Sequence, residues 1–204
     1  MTPLPYPPRA ICTACQRPAR ACICHWIAPT ANLNEVLLLQ HPLEVANAKN
    51  SLRLLELSLA RRTVVVGEQF APGVLERLLY GPATGQARPV LLYPDTPGLQ
   101  AGAVAVDASQ PLRLVVLDAT WRKSRKMLAL NPALQALPRL ALQAPPPSRY
   151  LVRKAHRAGQ LSTLEAVCLA LAQLEGDQGR YAPLLAAFDG FVAGQLAWRD
   201  GETR

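Results

Sequence analysis

Four cysteines lie within thirteen residues near the start of the chain: Cys12, Cys15, Cys22 and Cys24, spaced C-x2-C-x6-C-x-C. Four thiols this close suit one tetrahedral Zn2+ better than disulfides, because the opening MTPLPYPPRA has no apolar signal core and a cytoplasm keeps thiols reduced. Pro18 favours a loop between the pairs, and Arg17 and Arg20 offset the charge of four thiolates. The second pair is tighter than the common C-x2-C, which keeps His25 as a substitute ligand; disulfides and unlinked thiols are the competing readings. A closed four-thiolate site has no open coordination position, so its expected role is structural or RNA-docking. Cys168, in the apolar run AVCLALA, reads as a core residue.

A second constellation lies in Leu112–Leu130, LRLVVLDATWRKSRKMLAL. A buried strand ends in Asp118-Ala119-Thr120-Trp121 and passes into a helix whose first turns carry Arg122, Lys123, Arg125 and Lys126. Ligands of open α/β sheets bind at the carboxyl ends of strands, where Asp118 would stand. The four cations spread too widely around a helix for a core face and suit phosphates. The bland reading makes Asp118 a helix cap and Trp121 a core anchor. Further on come Pro145-Pro146-Pro147-Ser148-Arg149-Tyr150, whose prolines force an extended backbone suited to a pocket wall, and Leu161-Ser162-Thr163-Leu164-Glu165-Ala166. Ser162 or Thr163 with Glu165 has the form of a helix start, and capping is the plain reading of Ser162.

The charge distribution links these residues. The 204-residue chain has 22 Lys and Arg against 14 Asp and Glu, a formal net charge of +8. From Ala119 to Leu164 there is no acid, while Arg122, Lys123, Arg125, Lys126, Arg139, Arg149, Arg153, Lys154 and Arg157 supply nine cations. The rest of the chain is nearly neutral, so one segment carries the excess expected of a surface that meets a polyanion such as nucleic acid. A solvated basic face is the alternative.

Half of the residues are apolar, which predicts a folded core and argues against disorder. No apolar stretch approaches the roughly 20 residues that cross a bilayer, so the expectation is a soluble cytoplasmic protein with no membrane contact. Nineteen prolines and twelve glycines exclude a plain helical bundle and require many short elements. Residues 1–30 read as a loop-rich, four-cysteine zinc-knuckle appendage and 31–204 as the main domain. Val36–Gln40, Thr63–Val66, Val90–Tyr93 and Leu112–Leu117 read as strands. Helices are expected in Lys49–Arg61, Pro72–Tyr80, Ser162–Leu174 and Pro183–Trp198. Short apolar strands alternating with amphipathic helices predict an α/β fold with a mostly parallel sheet.

The ordered set of motifs resembles the DTW-domain proteins, tRNA-uridine aminocarboxypropyltransferases. The resemblance rests on the cysteine knuckle with Arg17-Pro18, on Leu39-Gln40-His41-Pro42 with Glu44, and on Asp118-x-Thr120-Trp121, Ser148-Arg149-Tyr150 and Leu161-Ser162-Thr163-x-Glu165-Ala166. Val152-Arg153-Lys154-Ala155-His156 is a looser match. The resemblance implies a SPOUT-like catalytic domain and S-adenosylmethionine as donor. Its 3-amino-3-carboxypropyl group would pass to N3 of a uridine in tRNA, releasing methylthioadenosine. It implies catalytic roles for Asp118, Thr120 and Trp121, with Asp118 as base or as an orienting group. Donor contacts would come from Gln40, His41, Ser162, Thr163 and Glu165. RNA contacts would come from Arg122, Lys123, Arg125, Lys126, Arg149, Arg153 and Lys154, and structural zinc would sit on Cys12, Cys15, Cys22 and Cys24. His41 also reads as a strand-end cap. The rival functions are an RNA methyltransferase using the same donor and a non-catalytic zinc-dependent RNA-binding module; no obligate protein partner is called for.

Overall fold

A computed structural model describes residues 10–81, 88–94, 112–150 and 160–201. The apolar runs form a five-stranded, all-parallel sheet: β1 (Glu35–Gln40), β2 (Arg62–Val66), β3 (Arg88–Leu92), β4 (Leu112–Asp118) and β5 (Arg139–Leu140), ordered β2-β1-β4-β3-β5. The helices are α1 (Pro42–Val45), α2 (Leu52–Ser58), α3 (Pro72–Tyr80), α4 (Trp121–Leu130), α5 (Pro132–Gln135), α6 (Thr163–Glu175) and α7 (Ala182–Gly201).

Parallel strands are covered on both faces, which is why β1 and β4 read as nearly unbroken apolar runs. Alternate residues point to opposite layers. Val36, Leu38, Leu114 and Val116 pack with α2, α6 and α7, whereas Leu37, Leu39, Val115 and Leu117 pack with α3, α4 and α5. Leu38, Leu39 and Leu114 are fully buried, each worth about 2 kcal/mol relative to exposure. Cys15 and Ile23 join the first core, and Trp26 packs so closely on α7 that a Cβ at Gly190 would overlap its ring. Thus the cysteine-bearing segment shares a core with the sheet.

The chain leaving β1 turns through α1 and α2 to β2 on one side, while the chain leaving β4 turns through α4 and α5 to β5 beyond β3 on the other. This divergence opens a crevice at the carboxyl ends of β1 and β4, where Gln40 and Asp118 are register partners.

Several expectations are adjusted. The leucine-spaced Lys49–Arg61 segment is helical only over Leu52–Ser58, because Leu59 turns into an extended bridge with Thr30. The elements α1, α5 and β5 have four, four and two residues, too short for a hydrophobic period. Pro145, Pro146 and Pro147 lie outside any helix or strand, are exposed, and are not among the residues lining the cleft at Asp118. Among the described residues no helix is long and apolar enough to cross a membrane.

Candidate active site

Asp118, 5% exposed, ends β4 at the crevice. Its Oδ2 accepts from Gln40 Nε2 at 3.0 Å and from Asn50 Nδ2 at 2.8 Å, and its Oδ1 accepts from the Thr163 hydroxyl at 2.7 Å. Its backbone carbonyl accepts from His41 N. The three donors come from β1, from the loop before α2 and from the start of α6. All are neutral, and none of the helix cations makes an ion pair with it. Asp118 lines a cleft with Glu44, Asn47, Lys49, Asn50, Ser51, Ala119, Tyr150 and Thr163.

The helix that follows is capped by Thr120, whose Oγ1 accepts from Lys123 N at 3.4 Å. The cap is therefore Thr120, and Asp118 is free of that duty. Trp121 is 45% exposed and meets Tyr93 edge-on with ring centroids 5.9 Å apart, so it is not a core anchor. His41 Nδ1 accepts from Leu43 N, capping α1, and its Nε2 lies 3.1 Å from Glu68. With Nδ1 accepting, Nε2 carries the proton toward the carboxylate. The Lys126 ammonium, with His41 adding to it, holds Glu68 below its usual carboxylate range. His41, Glu68, Arg122, Lys123 and Lys126 border an open concavity of about 600 Å3 on the other side of α1.

The acid-free segment is less uncompensated than it reads along the chain. Lys123 pairs with buried Glu44 at 2.9 Å, Lys126 with Glu68 at 2.9 Å, and Arg149 with Asp189 at 2.7 Å. Arg139 is 2% exposed, its guanidinium 5.4 Å from the Tyr93 ring centre. The side chains of Arg122 and Arg125 are exposed and, among the described residues, make no hydrogen bond or ion pair. Arg153, Lys154 and Arg157 lie outside the described residues.

At the far end of that segment, Ser162 and Glu165 form a reciprocal capping box at the start of α6. Glu165, 3% exposed, also reaches the Ser148-Arg149-Tyr150 segment. Its Oε1 accepts from Arg149 N at 2.6 Å, and its Oε2 accepts from Ser148 Oγ and from Ser162 N, both at 2.8 Å. Thr163 is thus the hydroxyl that meets Asp118, while Ser162 and Glu165 fasten helix and loop. Gly176 ends α6 with a left-handed φ of 65°, a conformation glycine adopts freely.

The four cysteine Sγ atoms lie within 4.8 Å of one another and could hold a metal ion. Cys12–Cys24 and Cys15–Cys22 Sγ separations are 3.6 and 3.8 Å. A tetrahedron with Zn–S bonds of about 2.3 Å needs sulfur separations of about 3.8 Å, so the donor set fits zinc. Backbone N–H groups of Cys15 and Ala14, then the neighbouring thiols, lower Cys12 to about 6, whereas hydrogen bonding with Cys22 and Cys12 pushes Cys24 up to about 12. One thiolate therefore forms readily, as a first ligand requires. Cys168 is buried in the core and pushed up to about 12 by desolvation, in keeping with a packing role.

Asn50 is the site residue that sequence reasoning missed. Its Oδ1 accepts from Leu52 N at 2.6 Å in a turn just ahead of α2, whose N-cap is Ser51, a local role that carries no sign of a contact with Asp118.

A family model for the DTW domain matches residues 9–196. The chain is 34% identical to tRNA-uridine aminocarboxypropyltransferase 2 of Drosophila melanogaster over 172 residues, 80% of this chain and 66% of that protein. It is 25% identical to the Mus musculus protein of the same name over 194 residues, 92% of this chain and 64% of that protein. It is 27% identical to tRNA-uridine aminocarboxypropyltransferase A of Arabidopsis thaliana over 202 residues, 83% of this chain and 74% of that protein. The alignment spans just under two thirds of the length of the first two relatives. No solved structure matches the chain. With a family model that runs through residues 9–196 and a relative 34% identical over 80% of its length, this chain belongs to the DTW domain family.

Proposed function

We propose that the protein transfers the 3-amino-3-carboxypropyl group of S-adenosylmethionine to N3 of a uridine in tRNA, on a fold related to that of the SPOUT RNA methyltransferases. The observation that carries this reading is a buried carboxylate, Asp118, lining the strand-end cleft while held by three neutral donors. The names of the relatives supply the reaction class.

The donor brings an electrophilic γ-carbon next to a sulfonium: as the N3–C bond forms, the C–S bond breaks, its electron pair leaves on methylthioadenosine, and the N3 proton passes to Asp118 or to solvent. Because methyl transfer from the same sulfonium is possible, the product depends on which carbon is held in line with N3. Asp118 supports that choice by binding the donor's ammonium group or the N3–H. Its three hydrogen bonds fix the direction of both carboxylate oxygens, which suits the orienting role. Gln40 and Thr163 act through Asp118, and His41, Ser162 and Glu165 hold the elements around it. Trp121, exposed beside Arg122, is suited to stack on a base.

The cations sort by availability. Arg122 and Arg125 are free for phosphates among the described residues. Lys126 and Arg149 are in exposed, solvent-screened pairs that exchange partners easily. Lys123 is committed to buried Glu44. Arg153 and Lys154 join the RNA surface in this proposal. Zinc on Cys12, Cys15, Cys22 and Cys24 is structural, and the reaction is placed in the cytoplasm.

The test is mass spectrometry of nucleosides from tRNA incubated with the zinc-loaded protein and S-adenosylmethionine. An aminocarboxypropyl increment on uridine, with methylthioadenosine released, is expected. A methyl increment with S-adenosylhomocysteine would make the protein a methyltransferase, and bound but unmodified tRNA would make it a binding module. Asp118→Asn should lower transfer by at least about 1000-fold, an interaction made in the transition state, while tRNA binding stays nearly intact.

A further inference from the structure

The cysteine knuckle reaches the active site through one side chain. Arg17 is held inside the knuckle by the turn in which Cys12 N donates to the Arg17 carbonyl and Gln16 N donates to the Cys12 carbonyl. Gln16 adopts a φ of 58° to close that turn. From there the guanidinium reaches α7 and the loop before α2: it lies 5.4 Å from the Phe191 ring centre, and Nη2 donates to the Asn50 carbonyl at 3.1 Å. Asn50 N donates to Asn47 O, and its side-chain Oδ1 accepts from Leu52 N at 2.6 Å. With Oδ1 committed to a backbone N–H, the amide has one orientation, and Nδ2 faces Asp118 Oδ2 at 2.8 Å. Two hydrogen bonds therefore separate a metal-binding turn from the candidate catalytic carboxylate. Arg53 provides a contrast: it donates to the Cys15 and Ala14 carbonyls at 3.2 and 2.6 Å, docking the same turn on α2, but among the described residues its side chain makes no hydrogen bond with Asn50.

We propose that Arg17 is a positioning residue for Asp118, acting through Asn50, so that the folded knuckle sets the geometry of the active site. The proposal rests on the reading of Asp118 as a catalytic residue. Hydrogen-bonded supports that place a reacting group matter steeply, since a displacement of about 1 Å can cost about 100-fold in rate. Among the described residues, the neutral Asn50 amide is one of three side-chain donors on Asp118, and its backbone is pinned from the knuckle side by Arg17.

The experiment is a double-mutant cycle on the zinc-loaded full chain, with Arg17→Met, Asn50→Ser and the pair; Ser keeps an acceptor for Leu52 N but is too short to reach Asp118. Each single variant should lower kcat about tenfold, leaving KM for S-adenosylmethionine and tRNA within about twofold. The pair should also lose about tenfold, and Arg17→Lys should recover most of the loss. Arg53→Met should lower the thermal midpoint, and its effect on kcat should multiply independently with that of Asn50→Ser. In the resting protein, the Asn50 side-chain amide resonance should move in Arg17→Met and stay in place in Arg53→Met. Should Arg17→Met fail to fold, Arg17→Gln carries the same cycle. Unchanged kcat in the Arg17 variant, independent multiplication to about 100-fold in the pair, or an unmoved Asn50 resonance would overturn the proposal. Normal turnover in Asp118→Asn would remove the ground for both readings; an inactive Asp118→Asn with multiplying Arg17 and Asn50 effects overturns this one alone.

Discussion

Asp118 and Glu165 bracket the acid-free segment, are 5% and 3% exposed, and each accept three hydrogen bonds on their carboxylate oxygens from the groups named above. Their donors differ in kind. Glu165 takes two backbone N–H groups, of Arg149 and Ser162, one on each oxygen, and so ties a loop to a helix start. Asp118 takes three side chains from separate elements and lines a cleft. Backbone donors cannot turn away without unfolding the segment that carries them, whereas side-chain donors can exchange roles with a ligand. A buried carboxylate held by backbone is a clamp; one held by side chains beside a cleft is a tool.

The strongest way to break this contrast is to replace each carboxylate by its amide and measure urea unfolding. Glu165→Gln must aim an NH2 group at a backbone N–H whichever way it turns, and should cost about 3 kcal/mol of stability. Asp118→Asn can turn its NH2 toward the Thr163 hydroxyl, which then accepts, and should cost less than about 1 kcal/mol. Equal losses would erase the distinction. Next come single donors: Thr163→Val should lower turnover about tenfold with little change in unfolding midpoint, while Ser148→Ala should cost about 1 kcal/mol of stability and less turnover than Thr163→Val.

The smallest effect belongs to an ordinary half-exposed carboxylate. The Arg113 guanidinium, with help from Arg61, holds Glu35 below its usual range. Because the folded-state value is the lower one, the contribution is present above the unfolded value, about 4.5, and is lost as pH falls through the folded value. Exposure and salt screening limit it to less than about 1 kcal/mol. Glu35→Gln should therefore flatten the acid limb of stability below about pH 4.5 by no more than that, as read by unfolding across the acid range.

Much of the fold was legible because its physics is local. β1 and β4 are long apolar runs, α3 begins at Pro72 as expected, and Ser162 caps α6, whereas the cap of α4 is Thr120 and not Asp118. Short pieces such as α1, α5 and β5 carry no period and leave no mark in the sequence. The site was partly legible. Asp118 could be placed at a strand end from the β4 run alone, but Ser162 and Thr163 are adjacent hydroxyls that the sequence cannot separate by role. Charge was the least readable property: the cations of the acid-free segment meet Glu44, Glu68 and Asp189, which are remote along the chain.

By itself, then, the sequence determined the parallel α/β architecture, the four-cysteine set and the strand-end position of Asp118, since apolar runs, ligand spacing and caps act over a few residues. Only the tertiary structure decided that Asn50 rather than a cation supports Asp118, that Glu165 is a clamp, and that Arg17 spans from knuckle to site. Those contacts join residues tens of positions apart, and their partners are chosen by the closure of the sheet and its helices.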